Sequence, residues 1–143
     1  MDLQQLSDRA EIGDLVLQYS EALNRADWDT WRAVFTDDAH VDYTTAGGVA
    51  GSVDEAVAWL SPTFVMFDMR IGRIANVAVT LDTLSGDSAT VSSQYTMTMR
   101  IPAADGGNPT YIDAAGWYDD IAVRTDAGWR LSARTERIAF IRM

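Results

Sequence analysis

The chain has 143 residues, of which 48% are hydrophobic and 22% charged, with a net charge of −10 and no cysteine. That length and composition suit one globular domain with a real core and exclude a disordered chain. They also exclude disulfides, thiolate metal sites and thiol nucleophiles, and so acidic a surface without a basic patch excludes a nucleic-acid partner.

No apolar run approaches the roughly 18 residues a membrane span needs. The opening stretch MDLQQLSDRAEIGD lacks the basic-then-apolar order of a signal peptide, so a cytoplasmic protein is expected. From Ser7 to about Ala26, Ile12, Val16, Tyr19 and Leu23 recur at helical spacing, with Leu15 beside them. Ser7 suits the N-cap, and Asp8 and Glu11 suit the helix's positive end. Asp27 caps a short second helix carrying Trp28, Trp31, Val34 and Phe35. His40 to Thr45 alternates as a strand, and Ala46 to Gly51 reads as a glycine-rich turn. Ser52 with Glu55 forms a capping box for a third helix, Val53 to Leu60, which Ser61-Pro62 is expected to stop.

Four long strands follow: Ile71 to Leu84, Ser88 to Ile101, Thr110 to Arg124 and Trp129 to Phe140. Helices first and an antiparallel meander afterwards make an α+β chain, one domain over residues 1–143, with helices packed on one face of a curved sheet. Val77, Val79, Val91 and Ile121 cannot all fit the helix-covered side, so a homodimer through the outer face is expected.

The stretch YSEALNRADWDTWRAVFTDDAHVDY, from Tyr19 to Tyr43, resembles scytalone dehydratase and other SnoaL-like members of the NTF2-like superfamily. The later GDSATV and GWRLSAR fit the same pattern. The resemblance implies a cone fold around one apolar pocket. It is weak on chemistry, because the fold carries dehydratases, isomerases, cyclases, dioxygenase small subunits and non-enzymes. Acid–base enzymes of the family use an aspartate three residues before the DW pair and a histidine on the strand after the third helix. Those positions hold Asn24 and Met69 here, and the chain's one histidine, His40, faces away from the pocket by alternation. Tyr43 falls where the family has a substrate-polarising tyrosine, and Met97, Met99 and Tyr118 fall on positions that line the pocket.

Asn24 cannot take up a proton; it either orients a substrate or bonds backbone at a helix end. Tyr43 and Tyr118 are either hydrogen-bond donors to a substrate oxygen or core tyrosines whose hydroxyls find a partner. Met69, Met97 and Met99, with Trp28, suit a pliable apolar cavity or ordinary core filling. Asp68 would face the pocket after a one-residue slip and otherwise points outward to Arg70 or Arg73. Asp42, Asp113, Asp119 and Asp120 read as solvated charges, although Asp120 shares a strand face with Tyr118. No metal site or cofactor motif is present. The expected function is a cofactor-free dehydratase, isomerase or cyclase acting on an apolar cyclic or polyketide-like molecule. The alternatives are a binding protein for a hydrophobic ligand, and a structural partner subunit.

Overall fold

The computed structural model describes Met1–Met143. Three helices, α1 (Leu3–Arg25), α2 (Trp28–Arg32) and α3 (Val53–Phe64), lie against six strands. These are β1 (Phe35–Asp42), β2 (Ala50–Ser52), β3 (Met69–Leu81), β4 (Ser88–Ile101), β5 (Thr110–Thr125) and β6 (Gly128–Arg142). They form one sheet in the order β2-β1-β6-β5-β4-β3. The sheet is mixed, because β1 pairs with β6 in parallel while every other pairing is antiparallel. No helix is long and apolar enough to cross a membrane.

The local signals explain most boundaries. Asp27 accepts the Thr30 backbone N–H at the start of α2, and the Ser52–Glu55 capping box opens α3. Two expectations are corrected at the helices. Asp2, not Ser7, caps α1, through a capping box with Gln5. Helix α3 runs through Pro62 to Phe64. Pro62 gives up one backbone donor of the last turn, and the turn is closed around it by the Thr63 hydroxyl donating to the Trp59 carbonyl and the Val65 N–H to the Ser61 carbonyl. Of the residues 46–51 expected as a turn, Ala50 and Gly51 instead join Ser52 in the short edge strand β2, and the turn itself closes on Gly47 in the left-handed region at φ 81°.

Asp8 and Glu11 also serve differently from expectation. Asp8 accepts two hydrogen bonds from the Arg124 guanidinium and one from Trp129 Nε1 at 3.0 Å. Glu11 accepts the Trp129 backbone N–H at 2.6 Å. Both carboxylates therefore tie α1 to the β5–β6 turn rather than serving the helix dipole.

The core lies between the helices and the inner sheet face. On β4, Ala89, Val91, Ser93, Tyr95 and Met97 are buried and alternate with exposed residues. Val91 and its neighbour across the ladder, Val79, thus belong to the inner face, while Val77 and Ile121 are exposed. Strand β6 breaks its own alternation. Ala122 pairs with Leu131 but Ile121 with Ala133, so Ser132 is an extra residue in a bulge, and Ala139 is another between the Gly116–Ile138 and Ala115–Phe140 pairs. The first bulge turns Arg134 and Glu136 inward.

The Arg124 partnership holds the Asp8 carboxyl down to about 2, against burial, which pushes it up. A depressed folded-state value gives stability that is present above the ordinary aspartate range and lost as pH falls toward 2. We expect Asp8→Asn to cost about 1–2 kcal/mol at pH 7. Urea unfolding at stepped pH should show part of the wild-type loss between about pH 4 and pH 2 missing from the variant.

Candidate functional site

A cavity of about 250 Å³ opens between α1, α3 and the inner face of β3–β6. Of its 23 lining residues 18 are hydrophobic, so what little polarity it has is informative. Its polar part is built on an ion pair beneath the wall. Arg134 is wholly buried, and its guanidinium donates to both Asp120 carboxylate oxygens at 2.7 Å. The guanidinium carbon also lies 4.0 Å from the ring centres of both Tyr19 and Tyr118. Burial alone would push the Arg134 pKa down, but the Asp120 charge and hydrogen bonds hold it above the ordinary arginine value. Asp120 is therefore not the solvated charge expected of it. It shares the inner face with Tyr118 and is spent on Arg134.

Four tyrosines, Tyr19, Tyr43, Tyr95 and Tyr118, line the cavity above this pair. The hydroxyls of Tyr19 and Tyr43 are hydrogen-bonded to each other. One hydroxyl in such a pair keeps a hydrogen free to donate elsewhere. Tyr95 stacks on Tyr118 with centroids 4.6 Å apart, and its own buried hydroxyl has no partner. Burial raises the pKa of all four, so each is a protonated donor throughout the physiological range.

Glu136, which sequence patterning missed, stands directly across the ladder from Tyr118 and lines the same cavity. It is 8% exposed, and burial raises its pKa, opposed by the nearby Tyr95 hydroxyl and the Arg134 charge. That Tyr95 hydroxyl lies beside the carboxyl without forming a well-shaped hydrogen bond. Only the bulge at Ser132 brings Glu136 inside. From Leu131 onward, strict alternation would send it to solvent.

Of the residues expected at the site, Tyr43, Tyr118, Met97 and Met99 line the cavity. The other four do not. The Asn24 amide is engaged with the Gly72 backbone, accepting its N–H at 2.7 Å and donating to its carbonyl at 3.0 Å, which clasps α1 to β3. Met69 pairs across the ladder with Arg100 on the outer face, because the inward positions of β3 fall on Gly72 and Ile74, opposite Met97 and Tyr95. Asp68 is on the surface and takes a two-pronged ion pair from Arg100, not from Arg70 or Arg73. Trp28 packs edge-on against Trp31 and Phe64 outside the cavity. For Met69 and the adjacent Asp68 neither side-chain charge nor period decides the side in the sequence; the β3–β4 register does. His40 is exposed on β1, and nowhere do three or more histidine, aspartate or glutamate side chains converge as metal ligands would.

Residues 4–135 match the SnoaL-like domain model. The chain belongs to the SnoaL-like family. A relative from Mycobacterium tuberculosis, itself uncharacterized, is 32% identical over the whole chain and 93% of its own length. A crystal structure from Kribbella flavida superposes with a TM-score of 0.82 at 28% identity, over 96% of this chain and 95% of that one. The same cone recurs in a Novosphingobium aromaticivorans protein described as a candidate scytalone dehydratase, with TM-score 0.84, 21% identity, and coverage of 99% and 91%. It recurs again in a hexachlorocyclohexane dehydrochlorinase from Novosphingobium barchaimii, with TM-score 0.81, 19% identity, and coverage of 99% and 93%. At such identities the last two show a shared fold. Within this SnoaL-like chain the buried ion pair should dominate local stability. Asp120→Ala, which strands a buried guanidinium, should cost about 3–5 kcal/mol in urea unfolding. Asp119→Ala, which removes an exposed partner of Arg137, should cost about 1 kcal/mol or less.

Proposed function

We propose that this protein is a cofactor-independent enzyme of the dehydratase, isomerase or cyclase kind, acting on an apolar cyclic molecule that carries an oxygen. The observation that supports it best is the Tyr19–Tyr43 hydroxyl pair, set in the wall of an otherwise apolar cavity. Protonated tyrosines in a dry site are fixed hydrogen-bond donors. They stabilise negative charge that grows on a substrate oxygen without having to reorganise as it does so. The cavity, at about 250 Å³, lies just below the usual range for small-molecule sites, which favours a compact ring system over a long polyketide chain. Met97 and Met99 supply pliable wall against such a ring.

A second reading, a binding protein that holds a hydrophobic ligand unchanged, draws on the same 18 apolar lining residues. The two readings diverge at Tyr43. If the tyrosine pair stabilises a transition state, Tyr43→Phe should cut turnover about 10²–10³-fold while the dissociation constant for substrate barely moves. A panel of cyclic ketones and alcohols, followed by NMR for turnover and by tryptophan fluorescence for binding, measures both. Weakened binding with no turnover in either protein would favour the carrier.

A further inference from the structure

We propose that Glu136 is the proton-transfer group of this cavity and that it acts on carbon acids, so that the substrate class is the cyclic ketones. The proposal rests on the enzymatic reading above and adds the residue that moves the proton. Apart from the tyrosines, only two ionisable side chains belong to the lining, Glu136 and Arg73. Arg73 sits between the inward positions Gly72 and Ile74 and is exposed, which sends its side chain to the other face. Glu136 is therefore the one group inside that can accept a proton at neutral pH.

Its surroundings are not those of a structural carboxylate. The nearest buried cation, Arg134, is engaged through Nε and Nη2 with Asp120, so the pair is already neutral without Glu136. Its Nη1 makes no hydrogen bond, to Glu136 or to any other group, and only its charge reaches the Glu136 carboxyl. No arginine forms a salt bridge to Glu136, and its one candidate hydrogen-bond partner, the Tyr95 hydroxyl, is left unmatched. A lone carboxyl in an apolar wall costs stability whenever it ionises, and a leucine there would pack without that cost. Burial raises its pKa toward neutrality, which is where a general base works best. The charge of Glu136 acts on all four cavity tyrosines, so the base and the donors share one space.

The step follows from that arrangement. The Glu136 carboxylate takes a proton from the carbon next to a ketone carbonyl. The C–H electron pair becomes the carbon–carbon double bond of an enolate, and the carbonyl π pair moves onto oxygen. Tyrosine O–H groups hold that oxygen by hydrogen bonds without giving up their protons. The proton, now on Glu136, returns to carbon on the same face, because no second acid–base group stands opposite. Nothing is oxidised or reduced, and no co-reactant is consumed.

The probe is 2-tetralone, a two-ring ketone with exchangeable α-protons, in D₂O with the full-length protein. Proton NMR follows α-H/D exchange, and saturation-transfer NMR follows binding. Wild-type protein should exchange the α-protons faster than buffer, with a rate that rises with pH through one ionisation above the ordinary glutamate range. Glu136→Gln should still bind 2-tetralone and melt cooperatively, but exchange about 10²–10⁴-fold more slowly and without that pH step. Should Glu136→Gln fail to fold, Glu136→Asp serves instead, keeping the pH step at a reduced rate. Exchange at the wild-type rate in Glu136→Gln, or binding by wild type without any acceleration of exchange, overturns the proposal for Glu136 and leaves the cavity reading intact. Absence of 2-tetralone binding to the wild type removes the cavity reading on which it rests.

Discussion

A fully buried guanidinium organises this molecule. Taking Arg134 out of water costs several kcal/mol unless every face of it is answered. Asp120 answers Nε and Nη2 in the plane with two hydrogen bonds at 2.7 Å, and the Tyr19 and Tyr118 rings contribute their π faces at 4.0 Å, which leaves Nη1 as its one buried donor without a partner. These contacts come from α1, β5 and β6, so one side chain fixes where a helix and two strands meet. Tyr19 in turn fixes Tyr43 through their shared hydrogen bond, and Tyr118 fixes Tyr95 by stacking. The four tyrosines that line the cavity are therefore held, directly or through one another, by one ion pair that is not itself part of the lining.

The opposite wall is kept open by omission. Gly72 lies inward on β3 across from Met97, and a Cβ there would come within 2.9 Å of both the Asn24 amide oxygen and the Met97 sulfur. The missing side chain lets Asn24 reach the backbone of β3 and leaves the methionine room to lie along the cavity. Arg70 completes the clasp, donating to the carbonyls of Asn24, Phe64 and Phe67 and so binding the ends of α1 and α3 to the start of β3. The helices sit on the sheet at a fixed height, and the space beneath them survives as a cavity instead of collapsing.

What the sequence discloses and conceals follows from strand register. Alternation on β4 is clean, so the inward side of Met97 and Met99 can be read directly from Thr96, Thr98 and Arg100 between them. The order of elements and two of the three helix caps are legible for the same reason: they rest on local chemistry at Asp27 and Ser52. Met69 is misplaced because β3 opens with MRIGRI, where glycine and arginine blur the period. A bulge near Ala75 to Ala78, with Asn76 in the left-handed region at φ 52°, disturbs the strand further. Arg134 and Glu136 are concealed more thoroughly. The bulge at Ser132 has no residue signature, and one inserted residue exchanges the two faces of everything after it. The parallel β1–β6 pairing is invisible too, since it joins the two ends of the sheet's sequence with no local signal at either.

The distribution of protons in the cavity constrains how a ligand can lie. Tyrosines held well above their ordinary pKa keep their protons and donate hydrogen bonds, whereas the Glu136 carboxylate can only accept. A ligand that satisfies both must put an oxygen toward the tyrosine hydroxyls and a hydrogen toward the carboxylate. A pure hydrocarbon of the same shape would leave the Tyr95 hydroxyl, already buried without a partner, as unsatisfied as before, whereas a ligand oxygen within reach would relieve a cost of about 1–3 kcal/mol. The apolar walls admit rings of either kind by shape. Selection among them would fall to the unmatched hydroxyl and the unpaired carboxyl, which favour a ligand that brings them a partner.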